Sequence, residues 1–436
     1  MNVNNINKQS IENNNNIINN NNLESKNNIT KNDILLEYDK MIKEKEQKLI
    51  LEKEKKNLIL SSIFFKKYKP IKEIGKGSFS NIYEGQNIIT GEKVALKIEE
   101  KTKNEIELLK SEACYLYLLR NCPGIVKIIS FGVSNMFNVL VEPLLGKNLY
   151  SLFLENHKYF SLKDICLIAI QCLNRLESVH SKGIIHCDIK PENFVIGLKD
   201  KRVIYLLDFG LSKKYRSDRT KNHIQFSITK TMTGTARYAS TNALSGLQLS
   251  RRDDLESLSY IILYFLTKKL PWQGIEAKTL VQRYKKIYIK KMELEKWEKF
   301  ILLPKQIQDF VKYCRSLKFA QAPNYKKMRD YFYDLMKIED IIDDRNFSWI
   351  LDKSIIGSKL PDEFQKKKYC SVFKFYNKLT KSELFFNSGN KTSNFEKNIE
   401  KKKSNSPINN TKIIKNDNYE NNENKNSVKG IYNDAI

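Results

Sequence analysis

One stretch constrains this chain more than any other: His186-Cys187-Asp188-Ile189-Lys190-Pro191-Glu192-Asn193. It gathers a carboxylate, an ammonium and a carboxamide within one short loop, and phosphoryl transfer needs such a set close together. In that chemistry Asp188 orients a hydroxyl and accepts its proton, Lys190 neutralises charge on the moving phosphate, and Asn193 holds magnesium. Leu206-Leu207-Asp208-Phe209-Gly210 follows, an apolar strand ending in an aspartate able to bind the other side of the metal, with Gly210 letting the backbone turn. His186 is expected to support the loop rather than act as a base, and His180 and His223 to be structural.

Upstream, Ile74-Gly75-Lys76-Gly77-Ser78-Phe79-Ser80-Asn81-Ile82-Tyr83 places two glycines where backbone amides can approach phosphates between two strands. Alone this is also the pattern of an ordinary hairpin turn, and Ser80 stands where a third glycine is usual. Val94-Ala95-Leu96-Lys97 reads as an apolar strand whose inward lysine is costly unless it binds phosphate and a carboxylate. Glu112, in the helix-like segment 107–119, is the partner in the right order.

The chain has 436 residues and 41% hydrophobic content, enough for one domain with extensions. Residues 1–32 are nearly polyasparagine and are expected to be disordered, as is the Lys- and Asn-rich tail 353–436. Residues 33–66 predict a charged helix, read as a solvated lead-in or as a partner-binding segment. Between them, 67–352 alternates strands such as 80–83, 93–98 and 138–141 with helices, the later part mainly helical. Ser161-Leu162-Lys163-Asp164 predicts a capping box opening a helix that ends at Gly183, and a second helix is expected from near Asp254.

Seven scattered cysteines without a Cys-x-x-Cys pair argue against a zinc site or disulfide framework and for reduced thiols. No apolar run approaches the ~18 residues of a membrane span, so a cytoplasmic or nuclear protein is expected. The Lys clusters read as a solvated tail or a nuclear-targeting signal. A net charge of +26 calls for acidic partners, which composition does not choose among. With no nucleic-acid-binding module visible, nucleic acid is not expected as a specific partner.

Thr233-Gly234-Thr235-Ala236-Arg237-Tyr238-Ala239-Ser240 then runs into Thr241-Asn242, where most kinases have Ala-Pro-Glu. Together with Ser250-Arg251-Arg252-Asp253-Asp254-Leu255-Glu256-Ser257-Leu258, Leu270-Pro271-Trp272-Gln273-Gly274 and Cys314-Arg315-Ser316-Leu317, it resembles the casein kinase 1 family of serine/threonine protein kinases over roughly 68–350. The resemblance implies an α+β, two-lobed kinase fold with a β-rich N-lobe at about 67–145 and a helical C-lobe at about 146–352. It implies a monomeric catalytic domain using ATP and Mg2+ on acidic or pre-phosphorylated proteins. It places the nucleotide against Ile74, Gly75, Gly77, Ser78, Ile82, Ala95, Lys97, Glu112 and the backbone of Leu145, and has Asp254 tie the catalytic loop to a buried helix. An anion pocket at Arg237, Gln273, Gly274 and Arg283 would read acidic groups upstream of the target hydroxyl, with Arg283 where lysine is usual.

Two departures stand out. Cys187 stands where the resemblance would put an arginine that pairs with a phosphate on the activation segment, which argues against that mode of activation and leaves only Lys213 and Lys230 for a second anion site. In Asn138-Val139-Leu140-Val141-Glu142-Pro143-Leu144-Leu145-Gly146, the gatekeeper is Glu142 if no residue is inserted and Val141 if one is. Strand alternation favours the first and the cost of burying a carboxylate the second. A catalytically weak kinase-fold scaffold is the alternative reading.

Overall fold

The computed structural model describes residues 31–77, 80–101 and 108–350; the Asn-rich start, Ser78 and the basic tail lie outside them. Helix α1 (Lys31–Ser61) is exposed along most of its length, but its last turn buries Ile59. Strands β1 (Tyr68–Lys76), β2 (Asn81–Asn87) and β3 (Lys93–Glu100) follow, then helix α2 (Leu108–Leu118), β4 (Ser130–Ser134) and β5 (Phe137–Pro143). The five strands form one antiparallel sheet in the order β1-β2-β3-β5-β4.

Period-two alternation divides the work of this sheet. Val94, Leu96 and Ile98 of β3 and Val139 and Val141 of β5 pack on one face with Tyr68, Tyr83, Ile59 and Phe64. Ala95 and Lys97, paired with Glu142 and Leu140, occupy the other face. Ile59 and Phe64, N-terminal to the expected domain start at 67, are thus part of the sheet's own core.

The helical lobe comprises α3 (Leu149–Glu155), α4 (Leu162–Ser181), the short strands β6 (Ile184–Ile185), β7 (Phe194–Ile196), β8 (Ile204–Leu206) and β9 (Lys213–Lys214), and the helices α5 (Thr241–Leu244), α6 (Arg251–Thr267), α7 (Leu280–Met292), α8 (Glu298–Ile301), α9 (Lys305–Ser316) and α10 (Tyr325–Ile338). The predicted capping box of α4 is present: Asp164 N–H donates to Ser161 Oγ at 3.1 Å and Ser161 N–H to Asp164 Oδ2 at 2.9 Å. Helix α6 begins at Arg251, earlier than expected, because Asp253 turns back to accept the Ser250 N–H at 2.7 Å. From Asp253 to Thr267 every residue of α6 is buried, which makes it the post around which the lobe packs.

Two small ladders position the chemistry. The β7–β8 pair sets Asn193 beside Leu207, whose N–H donates to Asn193 O at 2.9 Å. The β6–β9 pair holds the start of the following segment against the catalytic loop.

Candidate active site

Lys97 projects from the inner face of the sheet and meets Glu112 of α2, Nζ to Oε1, at 2.5 Å. Helix α2 is fixed to the sheet by Glu99, whose carboxylate accepts Leu109 N–H at 3.2 Å and Asn138 Nδ2–H at 3.0 Å. Burial works against the Lys97 charge, but Glu112, Glu142 and Asp208 outweigh it and hold the ammonium well above the ordinary lysine value. Glu112 also accepts the Phe209 N–H at 3.2 Å, so one carboxylate joins sheet, helix and the Asp208-Phe209-Gly210 turn.

In the catalytic loop, Asp188 is engaged on both oxygens. Oδ1 accepts the N–H and the hydroxyl of Thr235, each at 2.9 Å, and Oδ2 pairs with Lys190. Asn193 donates Nδ2–H to Asp188 O at 2.8 Å, which leaves its carbonyl oxygen available as a ligand. Burial disfavours the ionised form of Asp208, yet Lys97, His186 and Lys190 hold it below the usual carboxylate range. A carboxylate and a carboxamide oxygen are the sparse, hard donor set that suits a divalent ion completed by phosphate oxygens and water. The residues therefore fit a nucleotide-bound metal, with Asn193 and Asp208 as the protein's share. A family model for the protein kinase domain matches residues 68–332.

The chain belongs to the protein kinase family.

The kinase positions its catalytic loop from beneath. Asp254 of α6 accepts the N–H groups of His186 at 2.8 Å and Cys187 at 2.9 Å, and receives His180 Nε2 at 2.8 Å. Burial opposes its charge, but these bonds and the two histidines keep Asp254 below the ordinary value. His180 in turn meets Tyr325 OH through Nδ1 at 2.6 Å. His186 bridges Asp188 N–H and Leu207 O, the supporting role its sequence position suggests. Gly234 has φ 87°, and a Cβ there would lie 2.6 Å from Cys187 O, so only glycine lets this segment approach the loop.

Of the other residues expected to meet nucleotide, Ile82 and Ala95 are half-buried, Ile74 is exposed on β1, and Gly75 lies opposite Ile82 in the β1–β2 ladder. Gly77 N–H closes the loop by donating to Ser80 O at 2.7 Å, and Ser78 is outside the described residues. Leu145 is half-buried in the linker that leaves β5, where the next residue, Gly146, donates to Ile196 O at 2.8 Å.

Strand register decides the gatekeeper. Glu142 pairs with Ala95 and shares the cleft face with Lys97, whereas Val141 packs in the outer core. Glu142 is buried and its Oε1 has no hydrogen-bond partner among the described residues. Burial raises its pKa against the pull of Lys97, and Asp208 adds to the rise.

Around the expected anion pocket, Trp272 Nε1–H donates to Arg237 O at 2.7 Å, which sets the Gln273-Gly274 turn beside Arg237. Gln273 Oε1 accepts Leu270 N–H at 2.6 Å. Arg283 is exposed on the first turn of α7, and among the described residues no hydrogen bond or ion pair joins its side chain to the other three. Thr235 and Lys291 escaped the sequence reading. Thr235 lay within a motif already noted, but Lys291 sits in a lysine-rich helix where no pattern marks it as buried.

Proposed function

We propose that this kinase transfers the ATP γ-phosphate to serine or threonine in acidic or pre-phosphorylated proteins, with Mg2+ as the metal and in the manner of the casein kinase 1 family. One observation carries the catalytic part: Asp188, braced by Thr235, Lys190 and Asn193, is joined through Lys190 to Asp208, which also feels the charge of Lys97 in the Lys97–Glu112 pair. Asp188 would accept the hydroxyl proton and Lys190 would offset charge on the phosphate in flight. Asn193 and Asp208 would hold the metal, which would supply positive charge against the phosphates.

The substrate preference rests on the Arg237, Gln273 and Gly274 grouping, with Arg283 supplying a further exposed cation from α7. A charge-assisted bond to an acidic or phosphorylated residue is the interaction these groups offer.

The test is phosphate transfer from labelled ATP by the purified full chain to an acidic protein, followed by phosphoamino-acid analysis. Phosphoserine and phosphothreonine are expected, and Asp188→Asn should lose ~10²–10⁴-fold in turnover. Equal turnover by that variant would remove Asp188 from its role. A peptide array should show selection for upstream acidic or phosphorylated positions that weakens in an Arg237→Ala, Arg283→Ala double variant.

A further inference from the structure

The unpartnered carboxyl oxygen of Glu142 needs an account. A buried carboxyl oxygen left without a hydrogen-bond donor is costly, and a kinase cleft ordinarily avoids that cost with an apolar residue. Glu142 cannot turn into the outer core, because its register with Ala95 commits its side chain to the cleft face. Nor does it take Lys97 from Glu112, which holds that ammonium at 2.5 Å. The residue after it is Pro143, whose ring nitrogen carries no hydrogen, so this corner of the linker can offer a backbone carbonyl and carboxyl oxygens but no backbone N–H from Pro143. The next linker donor is further on, at Leu144 or Leu145.

With Glu142 ionised by the charged Lys97 ammonium that acts on it, this corner presents only acceptors and calls for a ligand group made only of donors. An exocyclic amine carries two N–H bonds and can serve the Pro143 carbonyl and the Glu142 carboxyl together. A ring carbonyl in the same place would face two acceptors and leave all three oxygens unsatisfied. We propose that Glu142 is a specificity-determining residue for the nucleotide, accepting a hydrogen bond from the 6-amino group of adenine and so rejecting 6-oxo purine nucleotides. The assignment rests on reading this cleft as the nucleotide site of an active kinase.

Inosine nucleotides are the sharpest probe, since they differ from adenine nucleotides in the 6-oxo group and the N1 hydrogen it brings. The linker backbone itself favours adenine to some degree, so the decisive quantity is how the ADP to IDP ratio changes with residue 142. Calorimetric titration of the full chain in Mg2+ should give wild type a preference for ADP of at least about tenfold in Kd. Glu142→Gln is close to isosteric and can present its N–H edge to a 6-oxo group, so it should lower that preference by at least about fivefold. Glu142→Met should lower it as well, by loss of the acceptor. Initial rates with ATP and ITP should follow the same order.

Near-equal binding of ADP and IDP by wild type would overturn the assignment, as would ratios in Glu142→Gln that stay within about twofold of wild type. If the Met variant does not fold by thermal melting, the Gln variant decides alone. Failure of both diphosphates to bind would instead remove the active-kinase reading and this inference with it.

Discussion

Two catalytic-site residues hold backbone conformations that L-amino acids resist: Cys187 has φ 68° and Asp208 has φ 67°. Each such conformation costs on the order of 1–3 kcal/mol and persists only where its surroundings over-determine it. Here those surroundings are two buried carboxylates. Asp254 takes the peptide N–H groups of His186 and Cys187, and Glu112 takes that of Phe209. An Asp254→Asn variant keeps the shape but replaces one acceptor oxygen with a donor facing N–H groups. It should lose about 1–3 kcal/mol of stability, with kcat falling far more than KM for ATP, as steady-state kinetics alongside a urea titration would show. That Asp188, Lys190 and Asn193 share one loop, with Asp208 following at the end of a strand, is readable from order and spacing alone. The role of Thr235 is not, because its contact with Asp188 joins positions 47 apart in the chain.

At the scale of elements, the segment from β9 to α5 is anchored in an unusual way. Cys187 packs in an apolar cluster with Ile185, Tyr215, Ala239, Ala243 and Leu249, with Leu211 and Met232 against it. Burial drives the Cys187 thiol well up, so it is an inert packing group. The end of the segment is held by α6: Ser240 Oγ donates to Asp253 at 2.7 Å and Thr241 N–H to Glu256 at 2.8 Å. Apolar packing and hydrogen bonds to the carboxylates of Asp253 and Glu256 need no phosphate, so phosphatase treatment of the active enzyme should leave its rate within about twofold. A large loss would mean that a phosphate orders the segment.

The same segment rests on Lys291 of α7, which is fully buried and donates to Ala236 O at 3.1 Å and Ala239 O at 2.5 Å. Its ammonium lies 4.6 Å from the Tyr260 ring centre and 5.0 Å from that of Trp272. Burial lowers its pKa from 10.5 to about 7, with Glu256 opposing the fall and Arg315 adding to it. The sign follows directly. Between about pH 7 and 10.5 the unfolded chain binds more protons at this site than the folded one, so the site's contribution to stability rises with pH through that window. Below it the folded state carries the full cost of the buried charge. Thermal melts from pH 7 to 10 should therefore show wild type gaining on Lys291→Met as pH rises, and parallel profiles would contradict the assignment.

For the whole molecule, the sheet has two faces and needs a cover for each. The helical lobe and α2 cover one, while Ile59 and Phe64 close the other. Ion pairs from Lys56 to Glu73 at 2.6 Å and from Lys55 to Glu100 lay the end of α1 across the strands. Exposed pairs of this kind contribute little, so the anchoring comes from the two apolar side chains. Ile59→Ala should cost about 2–5 kcal/mol and Phe64→Ala about 3–5 kcal/mol in chemical denaturation. A chain starting at residue 68, where the family match begins, should melt lower than one starting at residue 53. Equal melting would show that the outer face does not need this cover.

What the sequence determined by itself is local: the 186–193 loop, the Asp208-Phe209-Gly210 turn and the helix cap at Ser161, because each is set by neighbours along the chain. The choice between Glu142 and Val141 was not local, since a one-residue shift in register turns every side chain of a strand to its opposite face. Only the pairing of Ala95 with Glu142 settled it. The burial of Lys291 under the 236–239 segment, the closure of the sheet by Ile59 and Phe64, and the brace from Thr235 to Asp188 belong to the same class. Each is a contact between distant stretches of chain, and it exists because packing brings those stretches together.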